Sequence, residues 1–143
     1  MTASLHLIAL RDLLSAETGQ AVAIGPPTDE GRGLCLWSWK LDLLVSQRNT
    51  PPAPPGDPRE SQPSDLLMSV HFLLFPLGGS DVERLDALDV AGRVIQANPV
   101  LGATDSRGRV LIETISTTEL TAIFVAAGLP LRLCLGYRLE SVA

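Results

Sequence analysis

The stretch that decides the fold is DLLMSVHFLLFPLGGSDVERLDALDVAGRVIQANP, residues 65–99. Its first part, Asp65 to Phe75, is a nearly continuous apolar run. Leu66, Met68, Val70, Phe72 and Leu74 occupy one phase, and Leu67, Ser69, His71, Leu73 and Phe75 the other. Successive side chains of a strand point to opposite faces, so apolar residues in both phases predict a central strand buried on both sides. Pro76, Gly78 and Gly79 end that strand. Ser80 and Glu83 then make a Ser-x-x-Glu capping box, which opens a helix turning Val82, Leu85, Leu88, Ala91, Val94 and Ile95 inward as far as Asn98. Pro99 stops it.

Upstream, Ser4 to Glu17 places Leu5, Ile8, Ala9, Leu10, Leu13 and Leu14 at helical spacings, with Gly19 where the helix stops. Ala21 to Ile24 reads as a brief strand before the turn residues Gly25, Pro26 and Pro27. From Leu34 to Val45 the period changes to two. Cys35, Trp37, Trp39, Leu41, Leu43 and Val45 share one phase, and Ser38, Lys40 and Asp42 the other, which predicts a long half-buried strand. Ser46 to Ser64 holds six of the 11 prolines. Such a segment cannot donate ladder hydrogen bonds at those positions and has little to bury, so it is expected to be a mobile or partner-ordered loop within the domain.

Downstream, Asp105 to Gly108 reads as a polar turn before a strand from Arg109 to Thr114. A second capping box, Ser116 with Glu119, opens a short helix through Leu120, Ile123 and Phe124 to Gly128. Leu131, Leu133, Leu135, Tyr137 and Leu139 alternate with Arg132, Gly136, Arg138 and Glu140 in a final strand. About three helices against a mixed, largely antiparallel sheet make an α+β domain. At 143 residues the chain is expected to be one domain, residues 1–143, with its proline-rich loop at 46–64.

The charge balance, 11 basic against 16 acidic residues, leaves a net charge of −5, and Lys40 is the sole lysine. The arginines are scattered, so no basic stripe exists to neutralise phosphates, and direct nucleic-acid binding is disfavoured. Met1 to Thr18 lacks a basic n-region and is not expected to be a signal peptide. No apolar run approaches the roughly 20 residues a membrane-spanning helix needs. Cys35 and Cys134 lack the spacing of a zinc or redox motif and read as reduced thiols of a cytoplasmic protein.

Catalytic chemistry is hard to find. His6 and His71 have no neighbours at ligand spacing, so no metal or cofactor site is expected. Asp81 and Glu83 suit a first helical turn, and Asp86 and Asp89 a solvated face. Gly78-Gly79-Ser80 resembles a phosphate-binding turn only superficially, because neither a dinucleotide fingerprint nor a P-loop lysine accompanies it. No serine stands in a nucleophile elbow. Trp37 and Trp39, on one strand face, read as core or subunit packing.

The order of segments resembles the tail-terminator, or cap, proteins of extracellular contractile injection systems of the antifeeding-prophage type. The likeness runs from the helix Leu5–Leu14 through Arg48-Asn49 and the proline-rich loop into the apolar strand. It continues through Asn98-Pro99-Val100-Leu101, a strand ending near Ile115, the Ser116-Thr117-Thr118-Glu119-Leu120 helix start and Pro130-Leu131-Arg132-Leu133. Where that family often has His, this chain has Asn98, and it ends at Ala143 without the further C-terminal region of some members.

The resemblance implies a non-enzymatic assembly role: a ring of copies, six in the expected case, that ends growth of the inner tube and anchors the last sheath layer. Its partners would be itself, the tube protein and the sheath protein, with neither membrane nor nucleic acid, in the cytoplasm during assembly and afterwards in a phage tail-like particle. A domain of this length has a radius of gyration of roughly 14 to 15 Å, and closing a ring takes two different complementary patches per subunit. The interface candidates are Arg48, Asn49, Arg59, Trp37, Trp39, Asn98, Arg107 and Arg109. Two other readings stay open: a contractile-phage tail terminator or connector, and a small ligand-binding domain or enzyme using Gly78 to Ser80 with Asp105 to Arg109.

Overall fold

The computed structural model describes residues 2–28, 31–43, 55–56, 68–103 and 106–142. The elements are α1 (Thr2–Thr18), β1 (Val22–Ile24), β2 (Gly33–Leu43), β3 (Met68–Leu77), α2 (Asp81–Ala97), β4 (Val100–Ala103), β5 (Ser106–Ile112), α3 (Thr117–Ala127) and β6 (Leu135–Val142). Among the described residues six strands form one sheet in the order β1-β2-β3-β6-β5-β4. Only the β1–β2 pair is parallel, so the sheet is mixed and largely antiparallel, as the sequence predicts. The proline-rich stretch, apart from a turn at Pro55–Gly56, lies outside the described residues.

β3 is the central strand, and every residue from Met68 to Pro76 is buried. Its two phases feed two cores. Met68, Val70, Phe72 and Leu74 meet α1 (Ala3, Leu7, Leu10, Leu14) and α2 (Leu88, Ala91, Ile95), together with Tyr137 and Leu139 of β6. Leu73 and Phe75, on the other face, join Cys35 and α3 through Phe124. Each such side chain contributes about 1.5–3 kcal/mol by leaving water, which is what holds helices on both sides of one sheet. Both serines cap their helices: Ser80 accepts from the Glu83 N–H at 3.3 Å, and Ser116 from that of Glu119 at 3.1 Å. Gly128, at φ +68°, ends α3 in the left-handed conformation that glycine adopts without a Cβ clash.

The structure corrects several expectations, each for a packing reason. The buried stripe of α1 is Ala3, His6, Leu7, Leu10 and Leu14, while Leu5 and Ile8 face outward. His6, within that buried stripe, lies against Gly108 of β5. In α2 the first turns overhang the sheet, so Val82 and Leu85 are exposed and only the later half is buried.

Pro76 continues β3 instead of ending it. Leu34, opposite Pro76, donates its N–H to Ala21 of the β1 side, so this is a non-hydrogen-bonded pair. The missing proline N–H therefore falls on the side where β6 pairing has already stopped, at Leu74–Leu135.

Val100–Ala103 is a strand that the sequence reading passed over. It pairs with β5 from Ala103–Ser106 to Val100–Arg109, so the predicted turn residues Ser106 to Gly108 are ladder residues. β6 begins only at Leu135, opposite Leu74 of β3, and its pairing with β5 starts two residues later, at Tyr137 opposite Ile112. Leu131 and Leu133 are left exposed before it.

Candidate functional site

The decisive local feature is a β-bulge in β2. Ser38 faces Phe72 and Lys40 faces His71, which leaves Trp39 as the extra residue. One inserted residue flips every later side chain to the opposite face. Leu41 and Leu43, predicted to share the face of Cys35 and Trp37, therefore go to the other one, where Leu41 is 58% exposed. Lys40 and Asp42 arrive instead on the α3 side of the sheet, beside His71.

α3 covers that side only at the end holding Cys35, Leu73 and Phe75. The remaining part is polar. His71 is buried in the middle, its Nε2 at 2.9 Å from Asp42 Oδ2 and its Nδ1 at 2.7 Å from Glu113 Oε2. Lys40 Nζ lies 3.4 Å from the same Asp42 oxygen. The Trp39 ring sits 5.6 Å from the imidazole, and Arg138 is its register partner on β6. Next along β6, Glu140 pairs with Arg138 at 2.9 Å and with Arg109 of β5 at 3.1 Å. Ser69 Oγ and Trp39 Nε1 are buried here without a hydrogen-bond partner among the described residues.

The electrostatics favour fixed charges over reactivity. Desolvation raises the Asp42 carboxyl, but the hydrogen bond from His71 and the Lys40 ammonium outweigh it and hold the group below the ordinary carboxylate range. Burial pushes the Cys35 thiol up to about 11, only partly opposed by Arg132, and Cys35 Sγ donates to the Gly25 carbonyl at 2.9 Å. Burial also raises Cys134 to about 11. Neither is an activated nucleophile at neutral pH. Among the described residues no three His, Cys, Asp or Glu side chains converge as a metal site.

A second feature is apolar. The later half of α2, Val110 to Ile112 of β5 and Leu133 to Leu135 enclose a groove of about 670 Å³ with Tyr137 at its floor. Leu85 at 55% and Ile112 at 76% exposure stand on its rim. Asp89 and Arg93, also on the rim, pair with each other at 3.2 Å.

With this geometry in place, comparison with known proteins is informative. No family model matches the sequence, and no curated protein does. Among the solved structures that match are two that cover 100% of this chain. One is the PVC sheath/tube terminator of an extracellular contractile injection system in its extended state, with a TM-score of 0.70 at 16% identity. The other is the tube-terminating cap of the anti-feeding prophage, with a TM-score of 0.73 at 13% identity. The chain has the fold of these terminators. It spans a little over half their length, 57% and 56% respectively.

Against that terminator fold the sequence-derived interface candidates divide into four groups. Arg48, Asn49 and Arg59 lie outside the described residues. Trp37 packs 6.2 Å from Phe75 in the α3 core, and Trp39 lies against His71, so both have packing roles. Asn98 ends α2, its Nδ2 donating to the Val94 carbonyl at 2.9 Å. Arg107 and Arg109 are exposed on β5, and Arg109 belongs to the charged face just described.

The two halves of the ligand-site alternative do not meet. Arg109 faces Glu140, which faces Ser69, whereas Gly78 follows the far end of β3, roughly 30 Å away at strand rise. Near Gly78, Arg84 is engaged with Asp81 and with the Gly79 carbonyl. Sequence reasoning missed Asp42, Glu113 and Glu140. One signal was available: a histidine inside a strand apolar in both phases has to find buried partners.

Proposed function

We propose that this protein is a structural terminator of a phage tail-like contractile particle, a closed ring of six copies that ends the inner tube and holds the last sheath layer. The observation that carries the reading is the whole-chain match, at TM-scores of 0.70 and 0.73, to two terminators from such particles. The surfaces are consistent with it. A ring contact joins two different patches of one chain, and the protein offers an apolar groove on one side of the sheet and a charged, partly uncovered face on the other. In this reading the side chains contact neighbouring proteins and carry no reaction. Assembly takes place in the cytoplasm, and no helix among the described residues is long and apolar enough to cross a membrane.

Native mass spectrometry and electron microscopy of the purified chain, alone and mixed with tubes, test this. Sixfold rings seated on tube ends are expected. A strictly monomeric protein at high concentration that binds neither tube nor sheath ends overturns the proposal.

A further inference from the structure

The terminator reading leaves one arrangement unexplained: a buried histidine with a carboxylate oxygen on each ring nitrogen. A neutral imidazole carries one N–H and one bare lone pair, so it can donate to only one of two carboxylates. The cationic ring donates to both. His71, at 2.9 Å from Asp42 and 2.7 Å from Glu113, thus joins the end of β2 to the connection between β5 and α3 only while it is protonated.

The surrounding charges decide which link breaks. From β2, Asp42 also has Lys40 at 3.4 Å and is 46% exposed, so it retains a cation and water when the ring lets go. From the β5–α3 connection, Glu113 is 26% exposed, and among the described residues His71 is its ion-pair partner. From β6, Arg138 and Glu140 are paired with each other. Glu113 therefore retains the single remaining proton, on Nδ1, and the bare Nε2 lone pair faces the Asp42 carboxylate.

We propose that His71 is a proton-operated clasp: protonated, it pins the end of β2 beside β3, and deprotonated, it releases Asp42 while keeping Glu113. Asp42 and Leu43 end β2, so the clasp sets how firmly that strand end is held against β3. The direction is fixed by geometry. The cationic ring holds both carboxylates and the neutral ring holds one, so closure weakens as pH rises. The device is independent of the terminator reading, because it concerns the isolated chain.

The test is a pH titration of the full-length protein between about pH 5 and 9, reading imidazole nitrogen shifts and amide hydrogen exchange. The expected result is two protonated ring nitrogens at low pH and Nδ1–H alone at high pH. Exchange protection of residues 40–43, corrected for the intrinsic rate, should fall at least about tenfold across the same range, the scale of one charge-assisted hydrogen bond, while residues 72–74 stay protected. Asp42→Asn, at a half-exposed position, should abolish that local dependence without unfolding the chain, and His71→Gln should do the same where it folds. Unchanged protection at residues 40–43, an Nε2–H tautomer at high pH, or wild-type pH dependence in Asp42→Asn overturns the proposal.

Discussion

At the scale of single residues, the tightest constraints come from close approaches. Gly108 lies under the ring of buried His6, where a Cβ would stand 2.7 Å from Nδ1 and 2.8 Å from Cγ. Gly108→Ala must push the ring and with it α1, so it should cost roughly 1–3 kcal/mol, the usual penalty for overpacking. The cost should shrink in a His6→Ala background, and a double-mutant cycle read by urea denaturation checks the coupling. Gly33 is stricter still, because its φ of +96° and the Ala21 carbonyl 2.2 Å from a built Cβ leave no room for a side chain where β1 meets β2. Asp42 supplies a pH prediction. Its folded carboxyl titrates below the ordinary value, so the unfolded chain binds a proton first as pH falls. The part of its stabilisation set by its own proton is lost as pH drops below the unfolded value of about 3.9 and through the folded one. Wild type should thus lose more stability between about pH 5 and 3 than Asp42→Asn, as thermal melts will show.

At the scale of elements, α3 tests how the second core is held. It docks through Phe124, which stands edge-on to Phe75 at 5.7 Å between centroids, and its first turn is capped by Ser116. Ser116→Ala should cost about 1 kcal/mol and Phe124→Ala about 3–5 kcal/mol, the latter with increased fluorescence quenching of Trp37 and Trp39. Both features were legible in the sequence, since a capping box and an apolar helical spacing are local signals. Also legible was β3 as the central strand, from apolar residues in both phases. Less legible was everything set by a distant partner. The bulge at Trp39 depends on which residue of β3 each residue of β2 meets. The outward turn of Leu5 and Ile8 depends on where α1 lies on the sheet. The Asp42–His71–Glu113 contact joins residues 29 and 42 positions apart. The sequence shows that His71 needs partners but not which ones, because carboxylates occur along the whole chain.

At the scale of the whole molecule, the question is what a monomer with two helical cores still leaves open to neighbours. The groove beside α2 is an apolar feature of about 670 Å³, and its rim residue Ile112 projects into solvent at 76% exposure. An exposed isoleucine at the mouth of an apolar groove contributes little to folding the subunit and much to anything that seats there. Surface substitutions away from packed features usually change stability by no more than about 0.5 kcal/mol. Ile112→Glu should therefore leave the thermal midpoint nearly unchanged. In the ring of the proposed function it would bury an unpaired carboxylate at a subunit contact, a penalty large enough to shift the assembly equilibrium by several powers of ten. Arg109→Glu tests the opposite face. It replaces the salt bridge to Glu140 with a like-charge pair and should weaken end-binding in a salt-dependent way. Native mass spectrometry of the two variants distinguishes the surfaces. Loss of rings in Ile112→Glu with retained folding places the lateral contact at the groove. Intact rings in Ile112→Glu, with assembly lost in Arg109→Glu, would move that contact to the charged face of the sheet.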